Sequence, residues 1–245
     1  MNKKYKKDSF GDRAESLKSA KVIVPILLEI YKPRSVVDVG CGTGEFLSVF
    51  RERGIKNVLG IDGPWINEEK LRIPKDCFMP RDLEKPIKIS ERFDLAVSLE
   101  VAEHLSQDSA CEFVKTLTDL APVILFSAAV PFQGGLHHVN EQWPEYWVKL
   151  FAQRGYVPID SIRKKIWNNE EVCFWYSQNI LLFVKKEYLQ KNKKLKKEFE
   201  QTGSSVLALV HPKLYLVKAE KLNSISKFIP GPLKGIIIKV MNSFK

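Results

Sequence analysis

Apolar and polar positions alternate along the first two thirds of the chain in a way that predicts strands and helices in turn. Short continuous apolar runs, typical of strands buried on both faces, occur at residues 93–100 and 123–127. Apolar residues spaced three and four positions apart indicate amphipathic helices between and around them. These helical segments are 14–31, 46–53, 108–120 and 143–155. Regular alternation of this kind predicts an α/β fold with a doubly wound, mostly parallel sheet.

The pattern predicts that two further strands complete the sheet. Residues 161–167 and 179–185 alternate apolar with polar side chains, and Asn168 and Asn169 between them are typical turn residues. We therefore expect a final pair of strands. In the first helix, the side chains expected to face the core are Ala20, Ile23, Leu27, Leu28 and Tyr31.

A glycine-rich turn follows the first predicted strand, in the sequence VVDVGCGTGEF at 36–46. Gly40, Gly42 and Gly44 allow a sharp turn and let a ligand approach the backbone closely. The N-terminus of the next helix offers free N–H groups. A dinucleotide-binding loop needs its third glycine later, and Glu45 would repel a pyrophosphate. The loop therefore favours a phosphate-free nucleoside that carries an amino acid and a sulfonium.

A second predicted strand, 57–62, ends in an acidic residue, Asp62. In open α/β sheets, a carboxylate at the tip of the second strand accepts hydrogen bonds from ribose hydroxyls. The glycine loop and this carboxylate are each weak signals alone. In this order and spacing they support one another.

These motifs resemble those of class I S-adenosylmethionine-dependent methyltransferases, over residues 15–185. The resemblance implies a Rossmann-like, doubly wound, mostly parallel seven-stranded sheet with an antiparallel final strand. It implies S-adenosyl-L-methionine as cofactor, with Asp38 and the glycines at its methionine end, Asp62 at the ribose and Asp82 at the adenine amino group. The cofactor-binding residues implied in this way are Asp38, Gly40, Cys41, Gly42, Thr43, Gly44, Asp62, Gly63, Asp82, Leu83, Leu99 and Glu100.

Two later segments carry a narrower resemblance. FSAAVP at 126–131 and HVNEQWP at 138–144 resemble a bacterial subgroup of methyltransferases associated with sugar and surface-polysaccharide genes. This resemblance implies a role in polysaccharide biosynthesis.

A polar loop after the fifth predicted strand carries the candidate catalytic groups. The glycines at 134–135 permit a tight turn, and His137, His138 and Glu141 follow. Histidine takes up protons near neutral pH, and a hydroxyl nucleophile gains from losing its proton during in-line methyl transfer. We predict that His138 is the base, that Glu141 orients it or binds substrate hydroxyls, and that His137 and His104 are further candidates.

The segment after the fourth predicted strand offers a candidate metal site. If Glu100 begins a helix, then Glu100, Glu103 and His104 share one face. Two carboxylates and an imidazole can hold a divalent cation such as Mg²⁺, with positions left open for substrate oxygens. This spacing resembles that of two groups of metal-dependent methyltransferases. One comprises the O-methyltransferases of the ubiquinone pathway, and the other methylates the ribose 2′-hydroxyl of small RNAs. The alternative is a site without metal, in which the first acid contacts the cofactor and the others pack.

Structural interpretations compete with the functional ones. A loop histidine can simply hydrogen-bond the backbone, and Asn140 can cap the next helix. The spacing of Trp143 and Trp147 is typical of core packing. Trp65, just after Asp62, is the better candidate for a cavity wall near the adenosine. The other aromatic residues on which a sugar ring or a nucleobase could stack are Trp167, Trp175 and Tyr176.

The net charge of +10 is confined to the end of the chain. Residues 185–245 contain 14 lysines, no arginine and four acids, so the preceding part is neutral. We therefore predict a flexible N-terminus at 1–13, a cofactor-binding domain at 14–186 and a basic amphipathic helical appendage at 187–245. Basic and apolar residues together are typical of a membrane-surface segment. A helical cap or a dimer contact is the alternative.

Composition places the chain in the cytoplasm, with contact to the inner membrane face through the appendage. No leader-like apolar segment follows the N-terminal lysines, and the four cysteines show no metal-site or disulfide spacing. The predicted function is O-methylation of a hydroxylated small molecule such as a sugar or lipid-linked glycan. Lysines without arginines, and a core without a basic patch, disfavour nucleic acid. An RNA ribose methyltransferase with the metal site, or a catalytically silent scaffold, are the alternatives.

Overall fold

A computed structural model describes residues 13–202 and 207–227. This part of the chain contains a seven-stranded sheet in the order β3-β2-β1-β4-β5-β7-β6. The first five strands are parallel, and β7 is antiparallel to both of its neighbours. The predicted Rossmann-like fold is thereby confirmed. The strands are β1 Ser35–Val39, β2 Asn57–Asp62, β3 Phe78–Pro80, β4 Leu95–Leu99, β5 Val123–Ser127, β6 Tyr156–Ile159 and β7 Leu181–Lys185.

Helices cover both faces of the sheet. Val36 of β1 packs into the hydrophobic cluster on one face, and Val37 and Val39 pack into the cluster on the other. A strand buried on both faces needs apolar residues at every position, which explains the continuous apolar runs. The helices are α1 Ala14–Ile30, α2 Glu45–Glu52, α3 Ala110–Leu120, α4 Pro144–Gln153, α5 Arg163–Ile166, α6 Phe174–Asn179, α7 Lys186–Lys191, α8 Lys193–Thr202 and α9 Pro212–Lys227.

The predicted strand at 161–167 is wrong. The strand is β6, which begins directly after α4 and pairs with β7. Residues 163–166 form the short helix α5, and Ile162 and Ile166 are both buried. A spacing of four places two side chains on one face of a helix. Over so few residues, that spacing also fits the alternation of a strand, so the pattern alone could not separate the two.

The C-terminal part of the chain divides later than predicted. One compact unit ends at Leu209 and a second begins at Val210, so the expected boundary at residue 187 falls inside the first unit. In that unit α7 and α8 meet at Asn192, whose Oδ1 accepts the N–H groups of Lys194 and Leu195. Leu195 is fully buried. Thr202 Oγ1 accepts the N–H of Asp160 at 3.0 Å, and residues 187–202 belong to the first unit.

The second unit is described through α9, which carries exposed Tyr215, Leu216, Val217 and Leu222. No helix among the described residues has both the length and the apolar character needed to cross a membrane. The predicted flexible N-terminus lies outside the described residues except for Arg13. The rest of the predicted appendage beyond residue 227, and residues 203–206, lie outside them as well.

Candidate functional site

A cavity of about 310 Å³ opens at the edge of the sheet where β1, β2 and β4 end. Loops at the carboxyl ends of parallel strands are where ligands bind in this class of fold. Trp65, Trp175, Tyr176 and His104, all considered in the sequence, line it, and so does Arg13, for which no role was predicted. The predicted cofactor residues that line it are Gly40, Asp62, Asp82, Leu83, Leu99 and Glu100.

Asp62 joins the glycine loop to the end of β2. Its Oδ2 accepts the N–H of Gly42 at 2.7 Å, and its Oδ1 accepts the N–H of Gly63 at 2.6 Å. Burial raises the pKa of this carboxyl group, and the two backbone hydrogen bonds oppose that shift. With both oxygens fixed by backbone donors, the carboxylate presents its remaining lone pairs to the cavity.

Two glycines of the loop cannot be replaced without displacing a neighbour. A Cβ on Gly40 would lie 2.3 Å from a methyl carbon of Val101, and one on Gly42 would lie 1.8 Å from Nη1 of Arg13. Both residues also have a positive φ, 88° and 58°. Glycine adopts this conformation without steric cost. Close contacts with Val101 and Arg13, which both line the cavity, therefore favour glycine at these two positions.

Arg13 was assigned to a flexible N-terminus, yet its guanidinium lies against the loop and the cavity. Its Nη1 is 3.9 Å from Oε2 of Glu45, and Nε of Arg72 is 3.6 Å from Oε1 of the same residue. Thr43 Oγ1 also donates to Glu45. Glu45 is buried and satisfied by these groups. Nothing in the periodicity of the sequence marks Arg13, because it acts through tertiary contacts just before α1.

Asp38 and Cys41 lie beneath the loop and are almost completely buried. Burial, with Asp62 and Glu45 adding negative charge nearby, raises the pKa of Asp38 well above its usual range. Burial likewise raises the pKa of the Cys41 thiol. A thiol that resists ionisation is a packing residue rather than a nucleophile.

Glu100 does not begin a helix. Its φ is 55°, and its N–H donates to the backbone oxygen of Ser127 at 3.0 Å. Its carboxylate accepts the Nδ2 of Asn179 at 3.0 and 3.3 Å and the Nε2 of Gln133 at 3.0 Å. The predicted shared face of Glu100, Glu103 and His104 is therefore wrong, since only Ala102–His104 forms a short helical turn.

Glu103, His104 and His138 converge instead. One ligand atom from each lies within 4.8 Å of the others. Nε2 of His138 is 4.0 Å from Oε1 of Glu103, and the two imidazole rings meet edge to face with centroids 4.8 Å apart. Glu103 is fully buried, and neither of its carboxylate oxygens has a hydrogen-bond partner among the described residues. Burial and the charge of Glu100 raise the pKa of Glu103 well above its usual range.

His138 is oriented by Glu141. Its Nδ1 lies 2.9 Å from Oε1 of Glu141, an oxygen that also accepts the N–H of Gly134 at 2.6 Å. A Cβ on Gly135 would lie 2.2 Å from Nε2 of His138, so the ring packs directly on that glycine. His137 is one position earlier, with a φ of 62°, and is not part of the converging group.

The loop is anchored from below by the backbone oxygen of Glu103. It accepts the N–H groups of Val139 and Asn140 at 2.8 and 3.0 Å. The structural interpretation of Asn140 as a helix cap is wrong, because α4 begins at Pro144 and Asn140 Oδ1 accepts from Gln142. The anchor couples the Glu103 turn to the His138 loop, two segments that are distant in sequence.

The predicted aromatic wall is present. The Trp65 ring lies so close to Gly63 that a Cβ there would be 2.0 Å from it. Trp147 is buried in the core, as its helical spacing indicated, and Trp143 is exposed. Trp175 and Tyr176 reach the cavity from α6.

In comparisons with known proteins, part of this chain matches one protein family. Residues 13–168 match the family described as "Methyltransferase domain". A ubiquinone biosynthesis O-methyltransferase of Methylobacterium sp. (strain 4-46) is 33% identical over 103 residues, which are 39% of this chain. The match spans 40% of the length of that relative.

Two solved structures share the fold. The sugar N-methyltransferase KedS8 from Streptoalloteichus sp. ATCC 53650 superposes with a TM-score of 0.55 and 15% identity, covering 73% of this chain and 90% of its own. DesVI from Streptomyces venezuelae gives a TM-score of 0.53 and 12% identity, covering 71% and 93%. At this identity the likeness concerns the fold.

Proposed function

This chain belongs to the methyltransferase-domain family, and we propose that it transfers the methyl group of S-adenosyl-L-methionine to a hydroxyl of a small neutral acceptor, such as a sugar or lipid-linked glycan. The observation that carries the proposal is that the cavity and the candidate base adjoin one another. The cavity closed by Asp62 and the glycine loop extends to His104, whose ring contacts the oriented His138. A nucleoside site and a candidate base therefore lie side by side.

The residues that line the cavity support binding of the cofactor. Asp62 would accept hydrogen bonds from the ribose hydroxyls, Asp82 would accept one from the adenine amino group, and Trp65 would form a wall beside them. Arg13 offers a guanidinium to the carboxylate of the methionine end, where arginine and carboxylate can pair closely. When bound, the cofactor supplies an electrophilic methyl group on a sulfonium.

In the reaction, His138 accepts the proton of the acceptor hydroxyl at Nε2. Loss of this proton to Nε2 would make the hydroxyl oxygen a better nucleophile toward the methyl group that the bound cofactor would supply. Glu141 faces Nδ1 and stabilises the imidazolium that results. Proton removal of this kind contributes about 10²–10⁴ in rate, and alignment of the reactants contributes much of the rest.

The charges around the cavity support a neutral acceptor over RNA. Among the described lining residues, Arg13 is the one side chain of lysine or arginine type, and it pairs with Glu45. Five carboxylates line the same cavity, at Glu15, Asp62, Asp82, Glu84 and Glu100. A polyanion would need basic side chains along its path.

The first test is calorimetric titration with S-adenosylhomocysteine. We expect wild type to bind in the micromolar range and Asp62→Ala to bind at least about tenfold more weakly, because a charge-assisted hydrogen bond is lost. Asp108→Ala, an exposed aspartate on the same protein, is the matched control. No binding by folded wild type would refute the proposal and favour the silent scaffold.

A second arrangement of the same residues is favoured by one observation, the two unpartnered oxygens of buried Glu103. Glu103, His104 and His138 would hold a divalent cation, which when bound lowers the pKa of a coordinated hydroxyl. His138 would then be a ligand instead of the base. Two imidazoles with one carboxylate suit Mn²⁺, Fe²⁺ or Zn²⁺ better than the Mg²⁺ expected from the sequence.

Contact with a membrane surface through the C-terminal unit stays part of the proposal. Its support is the four exposed apolar side chains of α9, Tyr215, Leu216, Val217 and Leu222, together with lysines on the same helix. In co-sedimentation with vesicles that contain anionic lipid, we expect binding that salt abolishes and that charge reversal of α9 weakens. The reversed residues are Lys213, Lys218 and Lys221, and the control reverses Lys21, Lys56 and Lys164. Retention on RNA instead would favour the RNA alternative.

A further inference from the structure

Glu100 is a carboxylate at the cavity whose charge no side chain of the described residues neutralises in an ion pair. It lines the same cavity as Gly40 and Asp62. Its oxygens accept hydrogen bonds from two amides, and its backbone is held in a left-handed conformation by Ser127. A non-glycine residue with a φ of 55° is uncommon and is maintained by surrounding contacts. These contacts therefore fix both the backbone and the carboxylate of Glu100 in one position at the cavity.

The amides behind Glu100 are oriented by one another. Gln178 Nε2 donates to Oε1 of Gln133 at 3.0 Å and to Oδ1 of Asn179 at 2.9 Å. Because both amide oxygens are taken, the NH₂ groups of Gln133 and Asn179 must point toward Glu100. Gln178 and Asn179 are almost fully buried, so water does not compete for these bonds. Burial raises the pKa of Glu100, and the hydrogen bonds that this cluster donates from Asn179 and Gln133 oppose that shift by favouring the ionised carboxylate.

The cluster is also fixed at its base. The guanidinium of Arg163, itself 1% exposed, donates from Nη1 to the backbone oxygen of Gln178 at 3.1 Å. Asp160 accepts from Nε and Nη2 of the same arginine. This buried pair holds the end of α6, from which Gln178 and Asn179 project. Glu100 consequently sits on a rigid support although it lies in a loop.

We propose that Glu100 recognises the positive charge that distinguishes the methyl donor from its product, and that Asn179 and Gln133 are the positioning residues that aim it. The inference rests on the proposed function. S-Adenosylmethionine carries a sulfonium, whereas S-adenosylhomocysteine carries a neutral thioether, and apart from this charge the two differ only by the transferred methyl group. A carboxylate in a poorly hydrated cavity attracts a cation much more strongly than one in water does. Loss of the sulfonium charge on methyl transfer would then favour product release.

The test compares three ligands by calorimetry: S-adenosylmethionine, S-adenosylhomocysteine, and sinefungin, in which an amine-bearing carbon replaces the sulfonium. We expect Glu100→Gln to raise the Kd of the two positively charged ligands about tenfold and that of S-adenosylhomocysteine at most about twofold. Asn179→Ala should raise the Kd of the same two ligands about threefold and leave that of S-adenosylhomocysteine nearly unchanged. The effect is smaller because the Glu100 carboxylate is still present but has lost one of its hydrogen-bond donors. Glu170→Gln and Asn168→Ala, both exposed, are the matched controls.

The outcomes separate cleanly. Equal weakening of all three ligands would show that Glu100 contacts the shared amino acid end or is merely structural, and would overturn the inference. Unchanged affinity for all three would assign Glu100 to the acceptor and would also overturn it. If Glu100→Gln does not fold, Asn179→Ala still gives the pattern. Failure of wild type to bind any of the ligands would instead refute the proposed function.

Discussion

Nδ1 of His138 lies 2.9 Å from Oε1 of Glu141, and that oxygen also accepts the N–H of Gly134. Because a carboxylate accepts hydrogen bonds, we expect the ring proton on Nδ1 and the lone pair on Nε2, the nitrogen that faces Glu103. Carboxylate and imidazole come from one loop, three positions apart. The geometry is thus local, and it is completed by contacts with the Glu103 turn.

We expect His138→Ala to lower kcat for methyl transfer by about 10²–10⁴ while the Kd of S-adenosylhomocysteine stays unchanged. Glu141→Gln should cost less, about tenfold, because the ring stays in place but its positive charge is less well stabilised. Formation of S-adenosylhomocysteine with the acceptor identified by screening measures both. A loss of cofactor affinity equal to the loss of rate would mean that His138 supports the cofactor site instead.

Arg13→Ala should raise the Kd of S-adenosylhomocysteine about 10–100-fold, since a charged pair with the methionine carboxylate is removed. Binding of 5′-methylthioadenosine, which lacks that carboxylate, should not change. Arg72→Ala is the control, because Arg72 contacts the same Glu45 but does not line the cofactor cavity. If both arginine variants weaken both ligands alike, the effect comes from destabilising Glu45.

A divalent cation bound by Glu103, His104 and His138 would stabilise the folded protein in proportion to its occupancy. After treatment with EDTA, we expect Mn²⁺ at about 1 mM to raise the melting temperature by several degrees, and Mg²⁺ at the same concentration to raise it less. Glu103→Ala should abolish the response, and Glu170→Ala should retain it. Absence of any shift, with methyl transfer unaffected by EDTA, would leave His138 as the base and exclude the metal arrangement.

Asp38 makes the stability of the free protein depend on pH. Its pKa is raised in the folded state, so folding is favoured most when the group is protonated, below the ordinary carboxyl range. Above the ordinary carboxyl pKa the unfolded chain has lost this proton while the folded chain still holds it, so stability falls with rising pH until the folded group ionises at its elevated pKa. We expect Asp38→Asn to be more stable than wild type at pH 8, by about 1 kcal/mol or more, and equal to it near pH 4.

Urea denaturation of the cofactor-free protein from pH 4 to pH 8 measures this difference, with exposed Asp76→Asn as the control. A variant that is less stable at every pH would show that the Asp38 carboxylate makes a favourable contact that burial does not outweigh. The opposite trend with pH would indicate a pKa below the ordinary value.

Much of the fold was readable because its signals are local. The apolar run at Val123–Ser127 is the observed β5 without change, and the stop after α1 falls within one residue of the prediction. The glycine loop and Asp62 were likewise identified from adjacent residues. The failure at 161–167 came from a segment too short for a period of four to differ from a period of two.

The contacts around the cavity that the sequence did not reveal join residues that are distant along the chain. Arg13 meets Glu45 from the start of α1, and Asn179 meets Glu100 from a helix 79 positions later. His138, predicted as a base, also joins Glu103 and His104 where the sequence had placed Glu100. The spacing of apolar residues along the sequence does not reveal such contacts, because each depends on how the loops fold against one another.

The sequence by itself determined the alternation of strands and helices through β5 and the glycine loop with Asp62 after the next strand, since backbone geometry and apolar burial act over a few residues. Tertiary structure alone decided which carboxylate faces the imidazoles and which is held by amides. That choice follows from the left-handed backbone of Glu100, which turns its side chain toward Asn179 and leaves buried Glu103 beside His104 and His138.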